Sequence, residues 1–238
     1  MTEQEFIDAL AEKGITLTET QVKQFKEYFH LLVEWNEKMN LTAITDVQGV
    51  YLKHFYDSIM PLWHVELEQD AHLCDVGAGA GFPSIPMKII RPDLHITIID
   101  SLNKRIHFLN HLSQALQLEN VQAIHARAEE AGQDPTLRGK FDYVTARAVA
   151  SLNVLCEFCL PFIKKGGYFI ALKGHQADHE IEAATNAIKI LGAKFESQAL
   201  EKLPLEESDR AIISIRKTLE TPKKYPRRAG KPSKQPIV

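Results

Sequence analysis

Three glycines alternate with alanine in the stretch His72–Ser84, which reads H-L-C-D-V-G-A-G-A-G-F-P-S. Glycine allows close backbone approach to a ligand and adopts backbone dihedrals that other residues resist. A dinucleotide site has the spacing G-x-G-x-x-G. After Gly77 and Gly79, the third glycine, Gly81, comes one residue too early for that spacing, and Phe82 stands where the fingerprint needs glycine. A pyrophosphate would meet this ring, so the spacing favours a nucleoside without phosphates, such as S-adenosylmethionine. A tight strand-to-helix turn with no ligand is the alternative.

A second apolar run ends in an acidic residue. The run His95–Asp100 (H-I-T-I-I-D) is typical of a buried strand, and Asp100 follows the glycines by about twenty residues. A carboxylate at a strand end can accept hydrogen bonds from ribose hydroxyls. Asp100 or Ser101 could also cap the helix predicted over Leu102–Leu116, and the two roles are compatible.

Strands and helices alternate from Leu73 onward, which predicts a parallel, doubly wound α/β sheet. A closing antiparallel hairpin fits the seven-stranded, Rossmann-like sheet of class I methyltransferases better than a nicotinamide-binding sheet. We predict a turn at Lys165–Gly167. After the strand that begins at Leu73, the predicted strands are His95–Asp100, Asn120–Ala126, Phe141–Ala148, Tyr168–Lys173, Phe195–Leu203 and Arg210–Arg216.

The pattern of apolar residues in the N-terminal part of the chain predicts helices. Apolar residues recur at helical spacing in Glu3–Lys13 and Thr18–Asn40, and Asp46–Trp63 is predicted as a further helix. Thr18 with Gln21 resembles a capping box. We therefore divide the chain into a helical extension (1–64), a methyltransferase α/β domain (65–218) and a basic, proline-rich tail (219–238).

Charge is distributed unevenly along the chain. Residues 216–238 hold eight Lys or Arg against one acid, a net charge of +7, which leaves −10 on the rest because the whole chain carries −3. Such asymmetry predicts a nucleic-acid contact through an extended tail, and a solvated, disordered tail is the alternative. The predicted RNA-binding residues are Lys223, Lys224, Arg227, Arg228, Lys231 and Lys234.

Composition excludes several classes of protein. The 238 residues are 45% hydrophobic and 25% charged, as in an ordinary globular protein. We expect no membrane span and no secretory signal, because neither a long apolar run nor a basic region followed by an apolar core is present. Three cysteines, an odd number, indicate a reducing compartment, so we expect a cytoplasmic protein.

Two patterns that could bind a metal are weak. Cys156 and Cys159 form a C-x-x-C pair inside an apolar helical stretch, which predicts buried side chains. His175 and His179 lie four residues apart with no third ligand. We therefore predict no metal site.

Four motifs and the tail together are specific enough to indicate a protein family. The motifs are N-E-K-M-N-L-T-A-I (Asn36–Ile44), K-H-F-Y-D-S (Lys53–Ser58), D-V-G-A-G-A-G-F-P-S-I-P (Asp75–Pro86) and T-A-R-A-V-A (Thr145–Ala150), and the tail reads K-K-Y-P-R-R-A-G-K-P-S-K-Q-P. With this set the chain resembles the glucose-inhibited division protein B family over nearly its whole length. The resemblance implies a bacterial methyltransferase that modifies N7 of a guanine in 16S ribosomal RNA, using S-adenosylmethionine.

The resemblance also implies roles for individual residues. In the family, the first glycine of the loop and the aromatic residue after it contact the cofactor. An Ala-Glu pair after the third strand could hold the adenine amino edge through an N–H and a carboxylate. The arginine that ends the fourth strand could hold the methionine carboxylate or the substrate, or form a structural salt bridge. Together with Asp100 and the second glycine, the predicted cofactor-binding residues are Gly77, Gly79, Phe82, Asp100, Ala128, Glu129 and Arg147.

The expected chemistry needs no catalytic base. Guanine N7 carries an in-plane lone pair and no proton, so it can attack a sulfonium methyl group directly, and alignment supplies most of the catalysis. The sequence T-A-R-A stands where enzymes that methylate exocyclic amines carry Asn/Asp-Pro-Pro-Tyr. Methylation at carbon 5 of cytosine would need a cysteine nucleophile, and no cysteine ends a predicted strand.

Three function classes stay open on the sequence. The first is the guanine-N7 methyltransferase, a monomer whose partner is 16S ribosomal RNA or the small ribosomal subunit. Its target guanine would be unpaired or flipped out. The second is a methyltransferase of a protein or small molecule. The third is a non-catalytic RNA-binding assembly factor that kept the glycine loop.

Overall fold

A seven-stranded sheet forms the centre of the computed structural model, which describes residues 1–238. The strands are β1 His72–Val76, β2 His95–Asp100, β3 Val121–His125, β4 Phe141–Arg147, β5 Ile163–Lys173, β6 Ala193–Lys202 and β7 Asp209–Lys217. Their order is β3-β2-β1-β4-β5-β7-β6, with β1 to β5 parallel and β7 antiparallel to both of its neighbours. The predicted doubly wound sheet with a closing antiparallel hairpin is confirmed.

Helices cover both faces of the sheet, and none of them is long and apolar enough to cross a membrane. The N-terminal helices are α1 Glu3–Glu12 and α2 Glu19–Met39, followed by a mixed helical segment, α3, described below. The remaining helices are α4 Ser84–Ile90, α5 Asn103–Ala115, α6 Ala128–Ala131, α7 Leu152–Cys159, α8 Ala177–Ile190 and α9 Lys231–Lys234.

Reciprocal hydrogen bonds start the longest helix. At the beginning of α2, Thr18 Oγ1 accepts the Gln21 N–H at 3.2 Å and Gln21 Oε1 accepts the Thr18 N–H at 2.9 Å. This is the capping box that the sequence predicts. It fixes the first turn of a helix whose inner side buries Phe25 and Tyr28.

The segment α3 is helical throughout but changes its winding. It consists of an α-helical turn Val47–Gly49, a π-helix Val50–Tyr56, an α-helical turn Asp57–Ile59 and a 3₁₀ turn Met60–Trp63. The sequence predicts a helix over this range without revealing the π-helix. Such segments are frequent at functional sites, and this one carries His54 and Lys53, which contribute to the site below.

Two apolar cores lie on opposite faces of the sheet. One is shared by the N-terminal helices and the sheet helices, and it contains Phe25, Phe55 and Phe108. Because the extension and the sheet bury these side chains together, α3 is held against the rest of the fold. The other core contains Cys156 and Cys159, both fully buried as the sequence predicts.

The turn predicted at Lys165–Gly167 is wrong, because these residues lie inside β5. The pairing of β4 with β5 shifts register between Phe141 and Tyr143, so the extra residues of β5 form a bulge. A bulge accommodates glycines without ending a strand.

The tail differs from the extended arm that the sequence predicts. It packs against the sheet domain, contains α9, and buries the side chains of Tyr225 and Ile237. The Arg138 guanidinium donates to the carbonyl oxygens of Thr221 at 2.8 Å and Tyr225 at 2.6 Å. Proline restricts the tail backbone, but contacts with distant residues decide its position.

One predicted RNA-binding residue is engaged elsewhere. Arg227 Nη2 lies 2.7 Å from Glu157 Oε2, and the Glu157 side chain is only 1% exposed. A buried carboxylate needs such a counter-charge. Arg227 therefore has a structural ion pair in the fold, and its contact with RNA stays a prediction.

Candidate functional site

The glycine loop lies at the carboxyl end of β1, where β1 meets β2 and β4. Gly77 has φ +74°, and a Cβ there would approach Val149 Cγ2 to 2.8 Å. Gly81 has φ +102°, and a Cβ there would approach Tyr28 Oη to 2.6 Å. Positive φ and these close neighbours both require glycine. The loop therefore brings bare backbone up to a cavity at the edge of the sheet.

This cavity, which we call the loop cavity, has a volume of about 390 Å³. Five of the seven residues predicted for the cofactor line it, whereas Ala128 and Glu129 do not. The lining residues are Leu41, Thr42, His54, Gly77, Ala78, Gly79, Ala80, Phe82, Asp100, Ser101, Arg105, Arg147, Ala148 and Val149.

Asp100 braces the loop from the end of β2. Its Oδ2 accepts the Gly79 N–H at 3.1 Å and lies 3.4 Å from Arg105 Nη1, and its Oδ1 accepts the Leu102 N–H at 2.9 Å. Leu102 itself occupies the cap position of α5, and Asp100 supports that first turn from outside it. A carboxylate has about four lone-pair sites, so it retains capacity for ribose hydroxyls.

Phe82 is held between two aromatic rings from the N-terminal extension. The ring centroids of His54 and Tyr28 lie 4.5 Å and 5.4 Å from that of Phe82, with interplanar angles of 17° and 16°. The Arg147 guanidinium carbon lies 5.1 Å from the Phe82 centroid. Tyr28 also donates to the Ala80 carbonyl oxygen at 2.6 Å. The stack fixes one wall of the loop cavity.

The hydrogen bonds of His54 specify its tautomer. Arg147 Nη2 lies 3.1 Å from His54 Nδ1, and a guanidinium can only donate, so Nδ1 accepts. The neutral ring then carries its proton on Nε2 and donates to Thr42 Oγ1 at 2.7 Å. Burial, and secondly the charge of Arg147, lower the pKa of His54 to about 4.

Arg147 lies at the end of β4, as predicted, and its partners come from α3. Its Nη1 donates to Asp57 Oδ2 at 3.0 Å and to the Lys53 carbonyl oxygen at 2.9 Å. Asp57 Oδ1 accepts from Arg210 Nε at 2.8 Å. The structural salt bridge that the sequence left as an alternative is thus present. It holds Arg147 between the loop cavity and a neighbouring cavity.

The neighbouring cavity has a volume of about 470 Å³, and we call it the β4–β5 cavity. It shares His54, Arg147 and Ala148 with the loop cavity. Four of its side chains are cationic, and two are carboxylates. The lining residues are Ile44, Lys53, His54, Asp57, Arg147, Ala148, Leu172, Lys173, Gly174, Glu180 and Arg210.

Glu129 follows β3, as the sequence predicts, but it does not line the loop cavity. Its carboxylate is buried, and Oε1 accepts the Gly230 N–H of the tail at 2.9 Å. The carboxylate therefore fastens the tail beside α6. The contact between this carboxylate and an adenine amino group stays a prediction.

Sequence reasoning missed several supporting residues. Tyr28, Thr42 and Asp57 lie in the N-terminal helices or the loop between them, far along the chain from the glycines. Asp75, in β1 beneath the loop, is fully buried, and burial raises the pKa of its carboxyl to about 7. The motifs N-L-T-A-I and K-H-F-Y-D-S contain Thr42 and Asp57, but no periodicity or spacing indicates what they contact.

The depressed pKa of His54 predicts a pH effect on stability. An unfolded histidine has a pKa of about 6.5, so the folded state binds this proton less readily and the free energy of unfolding falls as pH falls from about 6.5 towards 4. Between about pH 7 and pH 4.5, the free energy of unfolding of the wild type should fall by about 2 kcal/mol more than that of the His54→Gln variant. Urea unfolding at both pH values measures this difference.

The matched control is His179→Gln, because His179 is exposed on α8. It should keep the pH dependence of the wild type. An equal loss of stability in His54→Gln and wild type would contradict the assigned hydrogen bonds.

Comparisons with known proteins show the family to which the chain belongs. A model of the family described as rRNA small subunit methyltransferase G matches residues 21–208. The chain is 59% identical over 237 residues to the ribosomal RNA small subunit methyltransferase G of Lysinibacillus sphaericus, covering 100% of both chains. It is 57% identical to the protein of the same name from Bacillus subtilis, covering 100% of this chain and 99% of the relative.

Solved structures share the fold at low sequence identity. TYW2 of M. jannaschii, solved in complex with S-adenosylmethionine, has a TM-score of 0.55 and 16% identity, covering 74% of this chain and 79% of that one. A methyltransferase from Aquifex aeolicus that depends on S-adenosylmethionine has a TM-score of 0.53 and 14% identity, covering 74% and 96%. The fold is therefore that of the class I methyltransferases. With the family match and the full-length identities, the chain belongs to the rRNA small subunit methyltransferase G family.

Proposed function

We propose that this protein transfers the methyl group of S-adenosylmethionine to N7 of one guanine in 16S ribosomal RNA. The observation that carries the proposal is the pair of adjoining cavities, in a chain 59% identical over its full length to a ribosomal RNA small subunit methyltransferase G. The loop cavity suits the donor and the β4–β5 cavity suits the guanine. The protein acts in the cytoplasm, where its three free, buried cysteines stay reduced.

The residues of the loop cavity fit a nucleoside methyl donor. Gly77 and Gly79 present backbone where side chains would intrude, Asp100 offers acceptor lone pairs for ribose hydroxyls, and Phe82 forms an apolar wall. Ala128 and Glu129 do not line the loop cavity, and we assign them a contact with the adenine end of the donor only through their backbone in the first turn of α6.

The proposed chemistry needs alignment rather than proton transfer. S-adenosylmethionine supplies a methyl group on a positively charged sulfur, and the N7 lone pair can displace that sulfur without a general base. Arg147 orients groups at the junction of the cavities, because Asp57 and His54 hold its guanidinium in place. Fixed partners of this kind keep a reacting pair in line. The cationic wall of the β4–β5 cavity attracts the RNA backbone.

The direct test is to map N7-methylguanine in 16S ribosomal RNA from cells with and without this protein. One guanine should lose its modification when the gene is deleted and regain it when the gene is restored. Gly77→Val should not restore it, because a side chain at Gly77 would collide with Val149.

The matched control is Gly139→Val. Gly139 has φ +66°, and no atom lies within 4 Å of the place that a Cβ would take there, so this variant carries the backbone strain without the collision. It should restore methylation. Unchanged ribosomal RNA in the deletion strain would leave a methyltransferase of another substrate or a binding factor as the function.

The exposed cations of the tail form a separate proposed contact with RNA. Five of the six predicted residues are exposed and form no ion pair with an acid. They are Lys223, Lys224, Arg228, Lys231 and Lys234. Replacing all five with alanine should weaken RNA binding and flatten its salt dependence by about 0.7 to 0.9 in log–log slope for each lost phosphate contact. The affinity for S-adenosylmethionine should stay unchanged.

Arg227→Ala separates the structural part of the tail from this contact. It should lower the free energy of unfolding by about 3 kcal/mol, because it leaves the Glu157 carboxylate buried without a counter-charge. Arg228→Ala, which changes the exposed neighbouring residue, should leave the free energy of unfolding unchanged.

For the fivefold alanine variant, a salt dependence of RNA binding equal to that of the wild type would show that the tail does not bind RNA.

A further inference from the structure

The two carboxylates of the β4–β5 cavity are in different states of hydrogen bonding. Asp57 uses both oxygens, because Oδ2 accepts from Arg147 at 3.0 Å and Oδ1 from Arg210 at 2.8 Å. Glu180 uses Oε2, which accepts the Leu152 N–H at 2.7 Å and lies 2.8 Å from Lys173 Nζ. No protein group donates to Glu180 Oε1.

From this difference we infer that Glu180, together with Lys173, reads the Watson–Crick edge of the target guanine and makes the enzyme specific for guanine. The inference rests on the proposed function and adds to it the residues that select the base. Glu180 Oε1 accepts from guanine N1–H and N2–H, and the Lys173 ammonium donates to O6.

The shape of guanine determines where residues that bind its Watson–Crick edge must lie. N7 lies on the Hoogsteen edge of guanine, next to O6, and the N1–N2 edge is turned from the N7 lone pair by roughly a right angle or more. When the N7 lone pair points at the loop cavity, the N1–N2 edge therefore points to the side, at the walls of the β4–β5 cavity that holds the base. Glu180 and Lys173 line the β4–β5 cavity and do not line the loop cavity, whereas Arg147 lines both.

Glu180 is oriented before any base binds. The Leu152 N–H at the start of α7 and the Lys173 ammonium fix one oxygen, while 26% of the side chain remains exposed. Lys173 is itself anchored, because its Nζ donates to the Ala150 carbonyl oxygen at 2.6 Å and its side chain is only 9% exposed. An ammonium has three donors, so one remains after Glu180 and Ala150 are bound.

The hydrogen-bonding groups of Lys173 and Glu180 are complementary to guanine and mismatched with adenine. Guanine presents an acceptor at O6 and donors at N1 and N2, which match an ammonium and a carboxylate. Adenine presents a donor at N6 and an acceptor at N1, which would place an amino group against the ammonium and a lone pair against the carboxylate. A site that forms hydrogen bonds with the Watson–Crick edge of a base rejects analogues in which these donors and acceptors are missing or reversed.

The test uses the full-length wild-type protein and 16S ribosomal RNA. The methylated guanine is located by borohydride–aniline cleavage and then replaced with inosine, which lacks the N2 amino group, or with 2,6-diaminopurine, which carries an amino group in place of O6. Losing a hydrogen bond to a charged group should lower kcat/KM by about 10- to 100-fold with either replacement.

Glu180→Gln should narrow the preference for guanine over inosine to near unity. Glutamine can still accept from the Leu152 N–H, but it donates where Oε1 accepted. Glu182→Gln, on the exposed part of the same helix, is the matched control and should keep the wild-type preference. The Kd for S-adenosylmethionine should be unchanged in both variants, because Glu180 does not line the loop cavity.

The outcomes separate this inference from the proposed function. If the wild type methylates no guanine in 16S ribosomal RNA, either free or within the small ribosomal subunit, the proposed function fails and the inference fails with it. If the wild type methylates inosine or 2,6-diaminopurine RNA as well as guanine RNA, only the inference is overturned. The same holds if Glu180→Gln keeps the wild-type preference, and the wild-type comparison decides the matter if this variant does not fold.

Discussion

The ion pair between Arg147 and Asp57 joins the two parts of the molecule on which the site depends. Arg147 ends a strand of the sheet, and Asp57 belongs to the helical extension. Both side chains are largely buried, so neither charge is well solvated without the other. Arg210 and His54 complete the surroundings of these charges. The pair thereby fixes the boundary between the two cavities at the edge of the sheet.

The neutral state of His54 belongs to the same arrangement. A protonated ring could not accept from Arg147, and burial disfavours its charge as well. The ring also stacks on Phe82, which closes the loop cavity. One histidine thus links the packing of the cavity wall to the orientation of the guanidinium. This explains why a helical extension outside the sheet is part of the site.

The sequence predicted those parts of the fold that depend on local pattern. The strand His95–Asp100 has the predicted bounds, and the capping box at Thr18 forms as predicted. Contacts between residues far apart in the chain could not be read from periodicity. Arg227 pairs with Glu157, 70 residues away, and this structural ion pair could not be predicted from the local pattern of the tail. The tail was misjudged for the same reason.

The central claim is that the loop cavity holds the donor and opens at Arg147 onto the cavity for the acceptor base. A crystal structure of the protein with S-adenosylhomocysteine tests it most directly. The account predicts ribose hydroxyls on Asp100 and the sulfur at the junction beside Arg147. Nucleoside density in the separate cavity bounded by His175 and Asp209, with the loop cavity empty, would contradict it.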